Sequence, residues 1–546
     1  MKKDHAIGRL INVFATLTSL LSLMLLATLP APAQEVQTDA QVINEDYHDT
    51  SVPVRELAPL VPLGSSQHIV LPLRRKPGLP VVSPEPDAVT QDIQEIQMVG
   101  TTNKLNFDGV SDRDGVAPPD TNASVGSTQV VETVNTSYKV FNKSTGASVF
   151  GPAEISSIFT VVPGACGLGL NGFYTDPVVE YDKAAGRWLV TILASPDGGA
   201  TGVECIAVSG TSNATGSYHR YAFSFGTNNL NDYPKFGVWP DAYYASYNMF
   251  NGLTGFFTGA RVCAYQRMAM LAGTTAKSIC FQRSVASRDF GFLPSDMDGS
   301  GIGSTGEPNF FVELGETCGT TCNLLDLFKF HVDFTTPSHS TFTGPTALTV
   351  ATFTLACGGG TCIPQTGTSQ RLDSLGDRLM FRLAYRRFTG TGAHEALVAT
   401  HSVRTGSAAS GARWYEIRNP NGTPIVFQQG TVSSGSTALW MSSIGMDKIG
   451  DIAVGFSESS SSIHPKIAYT GRVPTDHPSG TMESIDVVFS GVGSQTGGLS
   501  RWGDYTSISV DPSDDCTFWY ANEYIPSNGS FNWHTRLNSF KFTGCM

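Results

Sequence analysis

The sequence predicts an all-β chain closed into a seven-bladed β-propeller. Three observations lead there: a composition poor in helix formers, a recurrent short apolar run, and tight turns that follow several of those runs. Charged residues make up 15% of the chain and glycine contributes 57 residues. An average soluble domain carries about 25% charge. Long helices want Ala, Leu, Glu and Lys, whereas Gly with Ser and Thr suits short strands joined by turns. No segment shows a long 3.6-residue apolar period, the mark of an amphipathic helix.

The runs align on a polar residue or proline at their start. They are Pro119-Asp120-Thr121, Asp176-Pro177-Val178, Tyr233-Pro234-Lys235, Glu307-Pro308-Asn309, Asp377-Arg378-Leu379, Met441-Ser442-Ser443 and Trp502-Gly503-Asp504. Asp182 to Arg187 and Asp447 to Ile452 carry Asp and Gly in turn positions between apolar runs, the signature of a hairpin. Seven units about 55 to 75 residues apart fit a ring of small sheets that bury both faces against their neighbours. Tandem β-sandwiches are the alternative architecture.

Residues 1–33 read as a secretory signal peptide. Lys2, Lys3 and Arg9 precede an apolar stretch from Leu10 to Leu29, and Ala31-Pro32-Ala33 supplies small residues for cleavage. The apolar stretch approaches spanning length, but the cleavage site favours removal, after which no stable membrane span is expected. Residues 34–98 read as a Pro-rich leader or linker with Leu-Arg-Arg-Lys-Pro at its centre, a tether first and a propeptide or covering arm second. Residues 99–546 form the propeller domain. The expected location is secreted or at the cell surface.

Ten cysteines follow the signal segment, an even count that reads as disulfides in an exported chain. Neighbour pairing, the simplest connectivity, gives Cys166–Cys205, Cys263–Cys280, Cys318–Cys322, Cys357–Cys362 and Cys516–Cys545. The net charge of −12 argues against nucleic acid as a partner, because phosphate binding needs a basic surface.

Arg501-Trp502-Gly503-Asp504-Tyr505, with Asp514-Asp515-Cys516-Thr517-Phe518-Trp519-Tyr520, resembles the closing segment of a group of secreted bacterial β-propeller-like exoproteins. The resemblance extends to Pro118-Pro119-Asp120-Thr121-Asn122, to Tyr233-Pro234-Lys235 and to Leu372-Asp373-Ser374-Leu375. It implies the fold and export and brings no activity with it. The Asp-box repeat of sialidases is missing.

In a propeller the starts of the inner strands converge at one mouth of the central channel. Asp120, Asp176, Asp232 and Asp504 are therefore the candidate catalytic carboxylates, because an acid and a base at a glycosidic bond require carboxyls in separated environments. Trp502 and Tyr505 are candidates to stack on a sugar, with Arg378 and Lys235 as candidate ligand-binding cations. Counted from Asp296, oxygen donors at Asp298, Ser300 and Glu307 with Gly301 at the sixth position match a calcium-loop template. Calcium is thus the one cofactor suggested. Flanking Pro294 and Pro308 disfavour the helices that usually frame such a loop. Neither an H-E-x-x-H nor a G-x-S-x-G sequence occurs. His394 and His401, seven apart, point to opposite faces of a strand. Three functions stay open: a propeller that binds an extracellular polysaccharide or glycoconjugate at the mouth, a glycoside hydrolase or polysaccharide lyase of the same fold, and a structural or adhesive surface protein.

Overall fold

The computed structural model describes residues 39–57, 68–78, 87–93, 100–159, 166–167, 172–299, 301, 306–315, 322–406 and 409–546. The signal peptide and its cleavage site, Cys318 and Ser300 lie outside them.

Seven four-stranded antiparallel units follow one another along the described chain. Their innermost strands are Asn122–Val125, Phe173–Asp182, Asn229–Val238, Leu293–Asp298, Met380–Phe388, Ala438–Met446 and Ser507–Val510. Each inner strand packs against the next, and the seventh packs against the first. That cyclic order is a β-propeller and excludes two separate sandwiches. The blades are sealed by apolar clusters between them. Trp414, Ile444, Val454 and Phe456 fill the gap between the fifth and sixth blades. Ala123, Phe141, Trp519 and Leu537 fill the gap between the seventh and the first.

The ring closes through the N-terminal side of the domain. Thr101–Ser111 is the outermost strand of the seventh blade and pairs antiparallel with His534–Phe542. First and last parts of the chain thus share one sheet, and the Cys516–Cys545 disulfide ties the end of that blade down. Cys166–Cys205, Cys263–Cys280 and Cys357–Cys362 are also bonded as expected. Cys322 is disulfide-bonded too. These bonds fit an oxidising compartment, and among the described residues no helix is long and apolar enough to cross a membrane.

Two expectations need correction. Glu307-Pro308-Asn309 does not open an inner strand: Asn309–Leu314 is the second strand of the fourth blade, and Leu293–Asp298 is the innermost. That inner strand holds its own blade only at Leu293 and Pro294. It then runs parallel to the fifth inner strand from Ser295, opposite Leu383, to Asp298, opposite Arg386. Pro294 has no N–H to continue a ladder, which suits a strand that changes partners. Second, the described parts of the supposed leader are not a free tether. Gln41–Asn44 extends the third blade, Tyr47–Thr50 the second, and Thr90–Asp92 the fifth. These short polar segments carry no apolar period of their own, because each borrows an exposed blade edge.

Candidate functional site at the channel mouth

The inner strands of several blades begin with the same local distortion. Asp120, Asp176, Tyr233 and Met441 have φ of 54°, 56°, 59° and 51°, a left-handed conformation uncommon outside glycine. Bulges break the pairing between Thr175 and Val178, between Asp232 and Lys235, and between Trp440 and Ser443. A bulge re-aims the side chains beside it. Asp176, at the first of these bulges, lies with Asp120 and Asp504 so that one carboxylate oxygen of each falls within 4.8 Å of the others.

Each carboxylate is held. Asp120 accepts the backbone N–H of Asp504 at 2.7 Å and the Asn135 amide at 2.7 Å. Asp176 accepts the Thr175 hydroxyl at 2.8 Å and the Tyr233 N–H at 3.0 Å. Asp504 forms an ion pair with Arg501 at 2.5 Å. The Lys235 ammonium lies 3.5 Å over the Tyr233 ring and 4.1 Å over the Tyr505 ring. Arg378 is paired to Asp377 at 2.8 Å and sits 4.5 Å over Tyr233.

These surroundings drive the proton affinities apart. Burial, then the charges of Asp504 and Asp176, push Asp120 well above the usual carboxylate range. Burial also raises Asp176, and it takes Asp232 to about 7. Burial pushes Asp504 upward as well, but Arg501, Arg378 and Lys235 outweigh it and hold Asp504 below its ordinary value. Lys235 falls to about 8, chiefly through burial. A carboxyl of raised proton affinity thus stands beside one whose affinity is lowered.

The mouth is covered. Ile69–Val70 pairs parallel with Val116–Ala117, and the chain then crosses the charged cluster. Arg501 donates to the Leu71 carbonyl at 3.1 Å, and Arg378 to the Arg74 carbonyl at 2.7 Å. Arg74 pairs with Asp232 at 3.0 Å, Arg75 pairs with Asp373, and the Lys76 N–H donates to Asp377 at 2.9 Å. The space left beneath, lined by Leu71, Arg74, Asp176, Asp232, Arg501 and Asp504, is about 10 Å³, room for about one water.

The structure therefore brings Asp120, Asp176, Asp232, Asp504, Lys235 and Arg378 to one mouth, as the register predicts, but none is open to solvent. Trp502 and Tyr505 do not offer faces to a sugar. Trp502 is wholly buried against Trp440, 5.6 Å between rings, and donates to Ser457 at 3.0 Å. Tyr505 is 1% exposed and donates to the Pro177 carbonyl at 2.8 Å. The calcium reading also changes. Asp296 and Asp298 belong to an inner strand, not a loop, and Arg382 holds them at 2.6 and 2.7 Å. Lys183 pairs with Asp298 as well. Glu307 is buried, and its backbone carbonyl accepts the Trp239 indole N–H at 3.1 Å. The cation partners of Asp296 and Asp298 are protein side chains. Sequence reasoning gave Arg501 no role and ranked a covering arm below a tether for residues 34–98, although Leu73 to Pro77 includes a cationic run in an acidic chain.

No family model matches the chain, and no curated protein matches it either. Solved structures similar to it include the phage phi92 endosialidase, with 8% identity, 82% of this chain and 70% of that one covered, and a TM-score of 0.37. The alpha-L-arabinanase of Penicillium chrysogenum, complexed with arabinobiose, shows 10% identity, coverage of 71% and 99%, and a TM-score of 0.35. Drosophila Plexin A in complex with Semaphorin 1b shows 8% identity, coverage of 84% and 88%, and a TM-score of 0.37. The propeller assignment rests on the cyclic order of the inner strands, not on these likenesses.

Proposed function

We propose that this chain is a secreted propeller that engages a glycan or another surface polymer at its covered mouth, with Asp120, Asp176 and Asp504 as the working groups. The observation that carries the reading is the opposed proton affinity of Asp120 and Asp504 in a buried site whose backbone is held in strained conformations. Such features concentrate at functional sites. The same split favours a second reading, cleavage of a glycosidic bond. An acid that keeps its proton beside a carboxylate that does not is the division of labour that glycosidases use.

In the covered form no polymer reaches these groups, so the test must free them. Arg74→Glu with Arg75→Glu sets like charges against Asp232 and Asp373 and releases the strap. The released protein, but not the parent, is expected to bind on a polysaccharide array or to liberate reducing ends. Asp120→Asn in that background is expected to abolish either effect while the fold is retained by circular dichroism. Released protein that neither binds nor cleaves any polysaccharide overturns the proposal.

A further inference from the structure

A cavity in which an unpartnered polar group faces apolar walls lies away from the mouth. Strands that begin at the mouth end at the opposite face, and there the fifth and sixth blades part around a cleft of about 270 Å³. Phe388 and His394, stacked at 4.6 Å, form one wall. Phe427, with the Arg418 guanidinium 3.3 Å over its ring, forms another. The third is the loop after Ile463–Arg472, which crosses from the sixth blade onto the fifth. That crossing needs two glycines: a Cβ on Gly430 would come within 2.0 Å of the Gly480 carbonyl oxygen. Arg472 fastens the loop by donating to the Thr481 carbonyl at 2.6 Å and the Asp476 carbonyl at 3.0 Å.

The polar groups of this cleft are unevenly satisfied. Its acids have partners: Glu416 accepts from Arg418 and from Gln428, and Asp476 accepts the Val473 N–H at 2.9 Å. Its donors do not all have acceptors. Arg472 is 3% exposed, yet its Nε has no partner. Buried donors left unpaired are costly, so a ligand that supplies acceptors gains more here than one that supplies donors. Burial lowers the proton affinity of Arg472, with Asp476 and Glu416 opposing it, the mark of a guanidinium short of negative charge. The rim is apolar: Phe427 is 46% exposed and Ile449 44%. Aromatic walls with a few convergent polar groups describe a small-molecule site, and a sugar ring presents the flat C–H face that such walls take.

We propose that the cleft between the fifth and sixth blades binds a carboxylated sugar unit of an acidic polysaccharide, the ring against Phe427 and Phe388 and the carboxylate toward Arg472. The proposal does not rest on the mouth. The site is open in the strap-covered protein, so the whole purified chain can be used unaltered.

The test is calorimetric titration with galacturonate and glucuronate oligosaccharides, and with neutral galactose and glucose oligosaccharides of equal length. The acidic sugars are expected to bind at least about tenfold more tightly, as a charge-assisted hydrogen bond to a buried guanidinium implies. Phe427→Ala, an exposed position, is expected to weaken binding about fivefold by removing the stacking face, with the thermal midpoint unchanged. Ser479→Trp, which fills the cleft from its exposed loop, is expected to remove binding altogether. Equal affinity for neutral and acidic sugars, or acidic-sugar binding that survives both variants, overturns the proposal. So does the absence of heat from every uronate at millimolar concentration.

Discussion

The carboxylates of the mouth carry different electrostatic loads, and substitution separates them. Asp504 neutralises the buried Arg501. Asp504→Asn strips that charge and leaves a guanidinium uncompensated, which costs about 3 to 5 kcal/mol when a buried pair is broken. Asp120 accepts the Asp504 N–H and the Asn135 amide, so Asp120→Asn chiefly disturbs hydrogen bonds, at about 1 kcal/mol each. Urea unfolding at pH 7 is expected to rank the two in that order. Equal losses would mean that the Arg501 pair carries no more than the hydrogen bonds of Asp120. Glu132 gives a pH test. It is fully buried in the strand Gln129–Thr133, and burial raises it to about 7 from an ordinary 4.5. The folded state then binds a proton that the unfolded state has released between those values. Its contribution to stability is fully present below pH 4.5 and is lost as pH rises to about 7. Glu132→Gln removes that loss. The variant is expected to gain on the parent by about 1.4 kcal/mol per pH unit across this window, with a constant gap above it. Unfolding curves that stay parallel from pH 4.5 to pH 8 would refute the assignment.

At the scale of elements, the strap is the part most open to perturbation. It holds the mouth through the Arg74 and Arg75 ion pairs, two short bridges and a few backbone bonds. Arg74 and Arg75 side chains are 24% and 38% exposed, while their partners Asp232 and Asp373 are only 13% and 4% exposed, so charge reversal sets a second anion beside a buried carboxylate. Arg74→Glu with Arg75→Glu is therefore expected to speed amide exchange in residues 68–78 at least tenfold while the blades exchange as before. Unchanged exchange in the strap would show that its backbone bonds alone hold it. The strap also explains what could be read from the sequence. Asp120, Asp176 and Asp504 were legible because acids beside Pro or Gly at the head of a β run mark a strand start. Arg501 and the strap were not, since their meaning depends on contacts hundreds of residues away, such as Arg75 with Asp373. The fourth inner strand was misread for another reason. The alternation Asp296-Met297-Asp298 serves a calcium loop and a strand equally, and only the cations opposite, Arg382 and Lys183, decide between them.

The whole ring depends on one non-local pairing. A propeller whose last blade is finished by its own C-terminal strand has no link between first and last blades except side-chain packing. Here Thr101–Ser111 completes the seventh blade from the opposite end of the domain, with Phe107 opposite Leu537 and its ring 5.0 Å from Phe141 of the first blade. The added strand Gln41–Asn44 also lies on a blade edge, but the third blade beneath it already has four strands. Proline removes a ladder donor and tests the difference between the two. Phe107→Pro breaks the closing strand and is expected to cost about 3 kcal/mol or more, besides exposing the edge of His534–Phe542. An unpaired edge of that kind invites association with other chains, so the variant is expected to elute as oligomers in size-exclusion chromatography. Val42→Pro disturbs only the added strand, at an exposed position, and is expected to cost less than about 1 kcal/mol and to elute where the parent does. If both variants melt together and neither associates, ring closure is carried by inter-blade packing, and the N-terminal strand is as dispensable as the arm.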